Sequence, residues 1–136
     1  MMSPLLLAGL LLLAPPAATP SPADVSPLKA TEMTVCEEVV DRGCRAPSRS
    51  FGPDVEYAVF FTKVDGATGD AFVNHVWTFE GKEVRRERLP VRTSTFRTWS
   101  SKRIKGLPGK WRIEVLDPVG RSIGVVDFVV EPPRAP

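Results

Sequence analysis

Residues 110–116 read KWRIEVL, in which polar and apolar residues alternate with a period of two. The apolar positions are Trp111, Ile113 and Val115, and the polar positions are Lys110, Arg112 and Glu114. Successive side chains of a β-strand point to opposite faces of a sheet, so this period is typical of a half-buried strand. The segment therefore predicts a strand with one face in a hydrophobic core.

Strand signals recur along most of the chain. Further candidates are TEMTVCEEVV (31–40), VEYAVFFTKV (55–64), AFVNHVWTFE (71–80), EVRRERLPV (83–91), TFRTWSSKRI (95–104) and SIGVVDFVVE (122–131). No long window shows the three- and four-residue apolar spacing of a helix. We predict an all-β fold, an antiparallel immunoglobulin-like β-sandwich of about seven strands, with a small barrel as the alternative.

Two of these segments suggest their place in the sheets. VEYAVFFTKV is apolar on both faces, which favours a central strand. EVRRERLPV is highly charged and contains Pro90, which favours a sheet edge, and a tight hairpin through Gly81 and Lys82 would precede it.

The amino-terminal part is predicted to lie outside the sandwich. Residues 5–13, LLLAGLLLL, form an apolar run that as a helix would span about 14 Å, less than the roughly 30 Å of a bilayer core. This length suits a secretory signal, with an uncleaved anchor as the alternative. The predicted organisation is a signal peptide at 1–23 with cleavage near Ala18 or Ala23, a flexible Pro-rich leader at 24–29, the sandwich at 30–131 and a tail at 132–136. The mature chain is expected to be exported, periplasmic or extracellular, with no stable membrane span.

The two cysteines of the sequence, Cys36 and Cys44, are candidates for a disulfide in an exported chain. A straight strand would hold their Cα atoms about 26 Å apart, whereas a bridge requires less than about 7 Å. The chain must therefore turn between them, and Asp41-Arg42-Gly43 is a suitable turn. Two free thiols are the alternative. With a single histidine in the sequence, no metal site or cofactor is expected.

Charge is distributed unevenly although the net charge is only +2. Residues 32–80 contain four basic and nine acidic residues, a net charge of −5, whereas residues 82–112 contain eleven basic and two acidic residues, a net charge of +9. A basic segment of this kind predicts attraction to an acidic partner. Because export is expected, nucleic acid is not the predicted partner.

Five residues are candidates for a binding site: His75, Arg97, Trp99, Ser100 and Lys102. His75 shares a face with Trp77 and is interpreted first as a buried, hydrogen-bonded side chain, with ligand contact as the alternative. Trp99 shares a face with Arg97, an arrangement that suits stacking on a sugar or contact with a protein; the alternative is a tryptophan covered by a neighbouring loop.

The five residues require a distortion of the strand if they are to share one surface. An ideal strand places Arg97 and Lys102 on opposite faces, so one anion site needs a β-bulge at Ser100-Ser101. Without the bulge, the charges of this segment are interpreted as protection of a sheet edge.

Motifs of common enzyme classes are missing from the sequence. It contains no Gly-x-Ser-x-Gly, no metal-ligand cluster and no phosphate-binding glycine loop. Ser100 or Ser101 with His75 and Asp127 supplies the residue types of a triad, but no spacing links them. No catalytic residues are expected, and the protein is predicted to be non-enzymatic.

Four segments together resemble a known family. HVW (75–77), RTWSSK (97–102), GKWRIEVLDPVG (109–120) and DFVV (127–130) are similar to the bacterial domain of unknown function 2914 family. The agreeing positions are His75, Trp77, Arg97, Trp99, Ser100, Ser101, Lys102, Gly109, Trp111, Gly120 and Phe128. The resemblance extends over roughly residues 30–131. It implies a small β-sandwich of exported or membrane-tethered bacterial proteins and no established activity.

These observations predict an exported, non-enzymatic binding or interaction domain. Its basic face would bind an acidic cell-envelope glycan or protein. The alternative is a structural accessory β-sandwich with no small ligand, and the oligomeric state stays open.

Overall fold

Gly9 and residues 26–135 are described in the structure, a computed structural model. The predicted signal peptide lies outside the described residues, apart from Gly9. All regular secondary structure in the described residues is β-strand. These residues contain no helix that is long and apolar enough to cross a membrane.

Ten strands form the fold of the described residues. They are β1 (Lys29–Cys36), β2 (Glu38–Val40), β3 (Gly43–Arg45), β4 (Ser50–Phe51), β5 (Tyr57–Asp65), β6 (Ala71–Phe79), β7 (Lys82–Val91), β8 (Thr95–Arg103), β9 (Gly109–Leu116) and β10 (Ser122–Val130). A three-stranded sheet has the order β1-β5-β8, a five-stranded sheet has the order β4-β10-β9-β6-β7, and β2 pairs with β3. The two larger sheets enclose one hydrophobic core, so the predicted all-β sandwich is confirmed.

The strand count is higher than the predicted seven. The first predicted strand ends at Cys36 and resumes after Glu37 as β2, while β3 and β4 lie in the segment interpreted as connecting chain. β4 pairs in parallel with β10, so the fold is not wholly antiparallel. Strands of two or three residues are too short to show a period of two, which is why the sequence pattern missed them. The immunoglobulin-like comparison stays a prediction.

The predicted disulfide between Cys36 and Cys44 is present, with Cα atoms 5.7 Å apart. The chain reverses at Asp41 and Arg42, whose φ values are 51° and 61°, as a two-residue hairpin turn requires. Cys36 pairs with Val59 of β5 on the face that points away from the main core. The disulfide therefore holds the β2–β3 hairpin against the outer face of the three-stranded sheet.

Aromatic side chains dominate the core between the sheets. Trp77 and Trp111 are 0% and 1% exposed, and the burial of Trp111 confirms the predicted core face of KWRIEVL. Their rings meet edge to face, and Trp111 stacks on Phe128 with centroids 5.7 Å apart. Such pairs are favourable beyond the area they bury.

The predicted positions of β5 and β7 are both confirmed. β5 lies in the middle of its sheet, and its residues 58–62 are all buried. β7 lies at the edge of the five-stranded sheet and is largely exposed. The hairpin that precedes it turns at Glu80 and Gly81, one residue earlier than predicted.

Candidate functional site

Strand β8 is regular along its whole length. Its pairing with β5 continues from Arg103 opposite Tyr57 to Thr95 opposite Asp65 without a register shift. The bulge expected at Ser100-Ser101 is therefore absent, and Arg97 and Lys102 lie on opposite faces. The five candidate residues consequently do not form one surface, and each face of the strand has to be considered separately.

The inner face of β8 brings His75 and Ser100 together in the core. The two residues are 0% and 3% exposed, and His75 Nδ1 lies 2.7 Å from Ser100 Oγ. Trp77 Nε1 donates a hydrogen bond of 3.0 Å to the same hydroxyl. The strands β6 and β8 therefore contact each other through the core.

The proton positions in this cluster follow from its partners. The Thr62 hydroxyl donates a hydrogen bond to the Thr98 carbonyl at 3.3 Å. Its oxygen therefore accepts a hydrogen bond from the protonated Nε2 of His75, at 3.1 Å. His75 Nδ1 is then an acceptor for the Ser100 hydroxyl, which itself accepts from Trp77. Burial lowers the pKa of His75 to about 3, which keeps the imidazole neutral as this assignment requires.

The result is a continuous chain of hydrogen bonds from Trp77 through Ser100, His75 and Thr62 to the Thr98 carbonyl. It joins β6 of the five-stranded sheet to β5 and β8 of the three-stranded sheet. The contacts agree with the interpretation of His75 as a buried, hydrogen-bonded residue. Neither nitrogen of His75 is left for a ligand.

The residues of the considered triad are not assembled. Asp127 lies on the outer face of β10, where its carboxylate accepts from Arg112 at 2.7 Å. Ser100 and His75 are enclosed by the core, where a substrate has no access. Their close approach therefore serves packing of the two sheets.

The outer face of β8 presents Trp99 and Arg97 to solvent. Trp99 is 40% exposed and its ring lies parallel to that of Phe61, with centroids 6.2 Å apart. Lys102 belongs to the inner row of side chains at the border of the sandwich, and its Nζ donates to the Arg103 carbonyl at 3.3 Å. Lys102 thus does not join Arg97 and Trp99.

A groove of about 550 Å³ opens beside the first half of β8. Its walls come from the β2–β3 turn, the end of β7, the β7–β8 connection and β8 itself. The lining residues are Arg42, Pro90, Arg92, Thr93, Thr95, Phe96, Arg97, Thr98 and Trp99. No carboxylate lies among them, so the groove is basic and carries one exposed aromatic ring.

The arginines of this groove differ from most others in the described part of the chain. Ion pairs within the described residues are formed by Arg45, Arg85, Arg86, Arg103 and Arg112. Arg42, Arg92 and Arg97 take part in none of them, and no hydrogen bond within the described residues engages their guanidinium groups. Three guanidinium groups are thus available to an anion in one groove.

Sequence reasoning found Arg97 and Trp99 but missed Arg42 and Arg92. Arg92 belongs to the basic segment 82–112 and directly follows the predicted edge strand. These two features were the sequence signal that could have identified it. Arg42 lies in the acidic half of the chain, and only the disulfide and its hairpin bring it to the groove.

Comparisons with known proteins agree with the family resemblance. Residues 70–130 match the family described as "Protein of unknown function (DUF2914)". These residues are similar to that family, and the resemblance predicted from the sequence is confirmed over them; residues 30–69 lie outside the match. No curated protein sequence matches the chain.

A structural comparison finds the β-glucosidase from Listeria innocua in complex with glucose. The likeness has a TM-score of 0.47 and 8% sequence identity, and it covers 77% of this chain and 16% of the glucosidase. The chain therefore spans about a sixth of that enzyme's length.

Proposed function

We propose that the protein is an exported, non-enzymatic binding domain whose groove beside β8 binds an acidic cell-envelope partner, a glycan or a protein segment. The observation that carries the proposal is the meeting of Arg42, Arg92 and Arg97 in one groove without a carboxylate partner among the described residues. A planar guanidinium binds two oxygens of a carboxylate or phosphate at once.

Trp99 adds a second recognition element. Its ring is partly exposed beside Arg97, and its stacking on Phe61 fixes its orientation before a ligand arrives. A preoriented aromatic side chain loses little conformational entropy on binding. The ring can pack on the apolar face of a sugar or on an aliphatic side chain.

Export is supported by the disulfide between Cys36 and Cys44. Such bonds persist in oxidising compartments. The bond also holds the hairpin that carries Arg42, so the compartment that preserves the disulfide also preserves the groove.

The second candidate function is a structural accessory domain with no small ligand. The buried series of hydrogen bonds through His75, Ser100 and Trp77 favours this candidate. These three residues are among the positions that agree with the family, and the hydrogen bonds explain their identity by packing alone. In that case the basic groove would be a solvated surface.

Binding of the mature chain, residues 24–136, to polygalacturonate and to polyglutamate separates the two candidates. We expect Arg97→Ala to weaken binding by about 10-fold, the effect of losing one charge-assisted hydrogen bond. The matched control is Lys105→Ala, which removes the same charge from the basic segment outside the groove and should change affinity less than 2-fold. Binding should also weaken as salt is raised. Equal effects of both variants, or no binding of either polymer, would contradict the proposal.

A further inference from the structure

Among the described strands, none pairs with β8 on the side away from β5. At one end Ile104 N donates to Glu56 O, and at the other Gly66 N donates to Ser94 O, each at 2.9 Å. In an antiparallel ladder bonded and non-bonded pairs alternate. Both bonded positions at the two ends, Ser94 and Ile104, are even-numbered, and the register between them is unbroken. The backbone N–H and C=O groups of the even-numbered residues of β8 therefore hydrogen-bond to β5. The odd-numbered residues direct their N–H and C=O groups outward.

Three residues in the middle of this edge have backbone groups that no described residue engages. Thr95 O accepts from the Thr93 hydroxyl, and Arg103 O accepts from Lys102. Within the part of the chain described by the structure, no hydrogen bond reaches the outward groups of Arg97, Trp99 and Ser101. These three residues can therefore hydrogen-bond to an added strand.

The other sheet edges carry features that hinder strand addition. β7 contains Pro90 and a register shift opposite Thr78, β1 has a register shift between Ala30 and Glu32, and β4 is two residues long. Bulges, prolines and short length are common means of protecting an edge. β8 has nine residues in unbroken register and no proline, so it is the one long, regular edge among the described strands.

The charges along β8 select the sign of a partner. On β7, Arg85 pairs with Glu87 and Arg86 with Glu83, so that edge is locally neutralised. On β8 all charged side chains are basic, and Arg97 has no ionic partner in the described chain. Two copies of β8 placed side by side would bring arginines and lysine together, which disfavours self-pairing.

The groove follows this edge and does not lie on one face of the sheet. Five consecutive residues, Thr95 to Trp99, line it. Because side chains of consecutive residues point to opposite faces, a cavity in contact with all five lies alongside the strand. Arg42 and Arg92 complete its walls.

We propose that β8 binds an extended acidic peptide segment of a partner protein as an added strand. This inference rests on the proposed function and specifies the partner and its mode of binding. Peptide backbone groups hydrogen-bond to Arg97, Trp99 and Ser101, which is the basis of affinity in strand addition. Acidic side chains on the outer face meet Arg97 and Arg42. Apolar side chains on the inner face cover the open border of the sandwich beside Phe96.

The test uses a capped ten-residue peptide in which Glu and Val alternate, and two twins N-methylated either at every Glu or at every Val. The twins have the same charge, length and number of methyl groups, but in an added strand only one set of amides faces β8. We expect one twin to lose at least 10-fold in affinity for the mature chain while the other binds within about 3-fold of the parent peptide. Equal behaviour of the twins would overturn strand addition.

Protein variants provide an independent arm. Ser101→Pro removes an outward amide without breaking the ladder to β5, and Ser101→Ala is its matched control. We expect Ser101→Pro alone to weaken peptide binding, with thermal melts showing that both variants fold. If the proline variant does not fold, the twin peptides still decide the question.

The outcomes separate this inference from the proposed function. If Arg97→Ala weakens binding of the peptides and of polygalacturonate while the twins behave alike, the acidic-ligand site stands and strand addition fails. If Arg97→Ala changes neither, both fail. A dimer of the free chain at working concentration, lost in Ser101→Pro, would show that the edge serves self-association and would also overturn the inference.

Discussion

Removing the Ser100 hydroxyl tests the hydrogen-bond chain in the core. The hydroxyl accepts from Trp77 Nε1 and donates to His75 Nδ1, and all three side chains are buried. Ser100→Ala therefore leaves one donor and one acceptor without a partner. Each buried unsatisfied group costs about 1–3 kcal/mol, so we expect unfolding free energy to fall by about 3 kcal/mol.

Thermal and denaturant unfolding measure this loss. For a domain of this size, about 3 kcal/mol corresponds to a melting temperature lower by about 10–15 °C. Ser101→Ala is the matched control: it is the same chemical change one residue away, on the exposed outer face, and should alter stability by less than about 0.5 kcal/mol.

A double-mutant cycle assigns the loss to the bond and not to packing. Trp77→Phe removes the donor that Ser100→Ala leaves unsatisfied, so the double variant should be more stable than the sum of the single effects predicts, by about 1 kcal/mol. If Ser100→Ala is as mild as Ser101→Ala, the assigned chain does not contribute to stability and the reasoning about His75 is wrong.

Three further predictions concern stability. Burial lowers the pKa of His75 in the folded protein to about 3, so below about pH 6.5 the unfolded chain binds a proton that the folded chain does not. The unfolding free energy should therefore fall by up to about 1.4 kcal/mol for each pH unit between pH 6 and 4.5. A His75→Gln variant should lack this slope in denaturant titrations. Native protein should have the mass of the oxidised form and no thiol that reacts with a label, and labelled thiols would contradict the disulfide. Cys44→Ser should lower the unfolding free energy by about 2–3 kcal/mol. The same variant should weaken binding of polyglutamate, because the hairpin that carries Arg42 is released. Gly66→Ala should destabilise the fold by more than 1 kcal/mol in urea unfolding, because Gly66 has φ +100° and a Cβ there would meet the Pro27 carbonyl; Gly69→Ala, with open space around it, is the control.

The larger strands could be predicted because burial imposes a period on the sequence. Alternation in KWRIEVL and the two apolar faces of VEYAVFFTKV each follow directly from where the side chains lie. β4 is held by pairing with the end of β10, which is distant in sequence. A contact of this kind leaves no local pattern, so the sequence did not signal it.

The site was predicted in part for a related reason. Exposure of Trp99 and Arg97 follows from alternation along one strand, whereas a shared surface with Lys102 required a bulge that the structure does not contain. Arg42 joins the groove through a hairpin and a disulfide. Contributions made through tertiary contacts cannot be read from spacing alone.

The same alternation divides the roles of the segment RTWSSK. Thr98 and Ser100 face the core, where Ser100 hydrogen-bonds to His75 of the other sheet, while Arg97, Trp99 and Ser101 face solvent at the edge of their own sheet. Stability and binding should therefore be separable by substitutions one residue apart. Ser100→Ala should lower the melting temperature and leave the affinity of the folded protein for polyglutamate unchanged.

Arg97→Ala should do the reverse, because its guanidinium has no ionic partner within the described chain and the indole of Trp99 stays packed on Phe61. The double variant should show the sum of the two effects on stability and on affinity, since their partners are not shared. A large loss of stability in Arg97→Ala with unchanged affinity would mean that the arginine is architectural. The exposed face of β8 would then carry no recognition site.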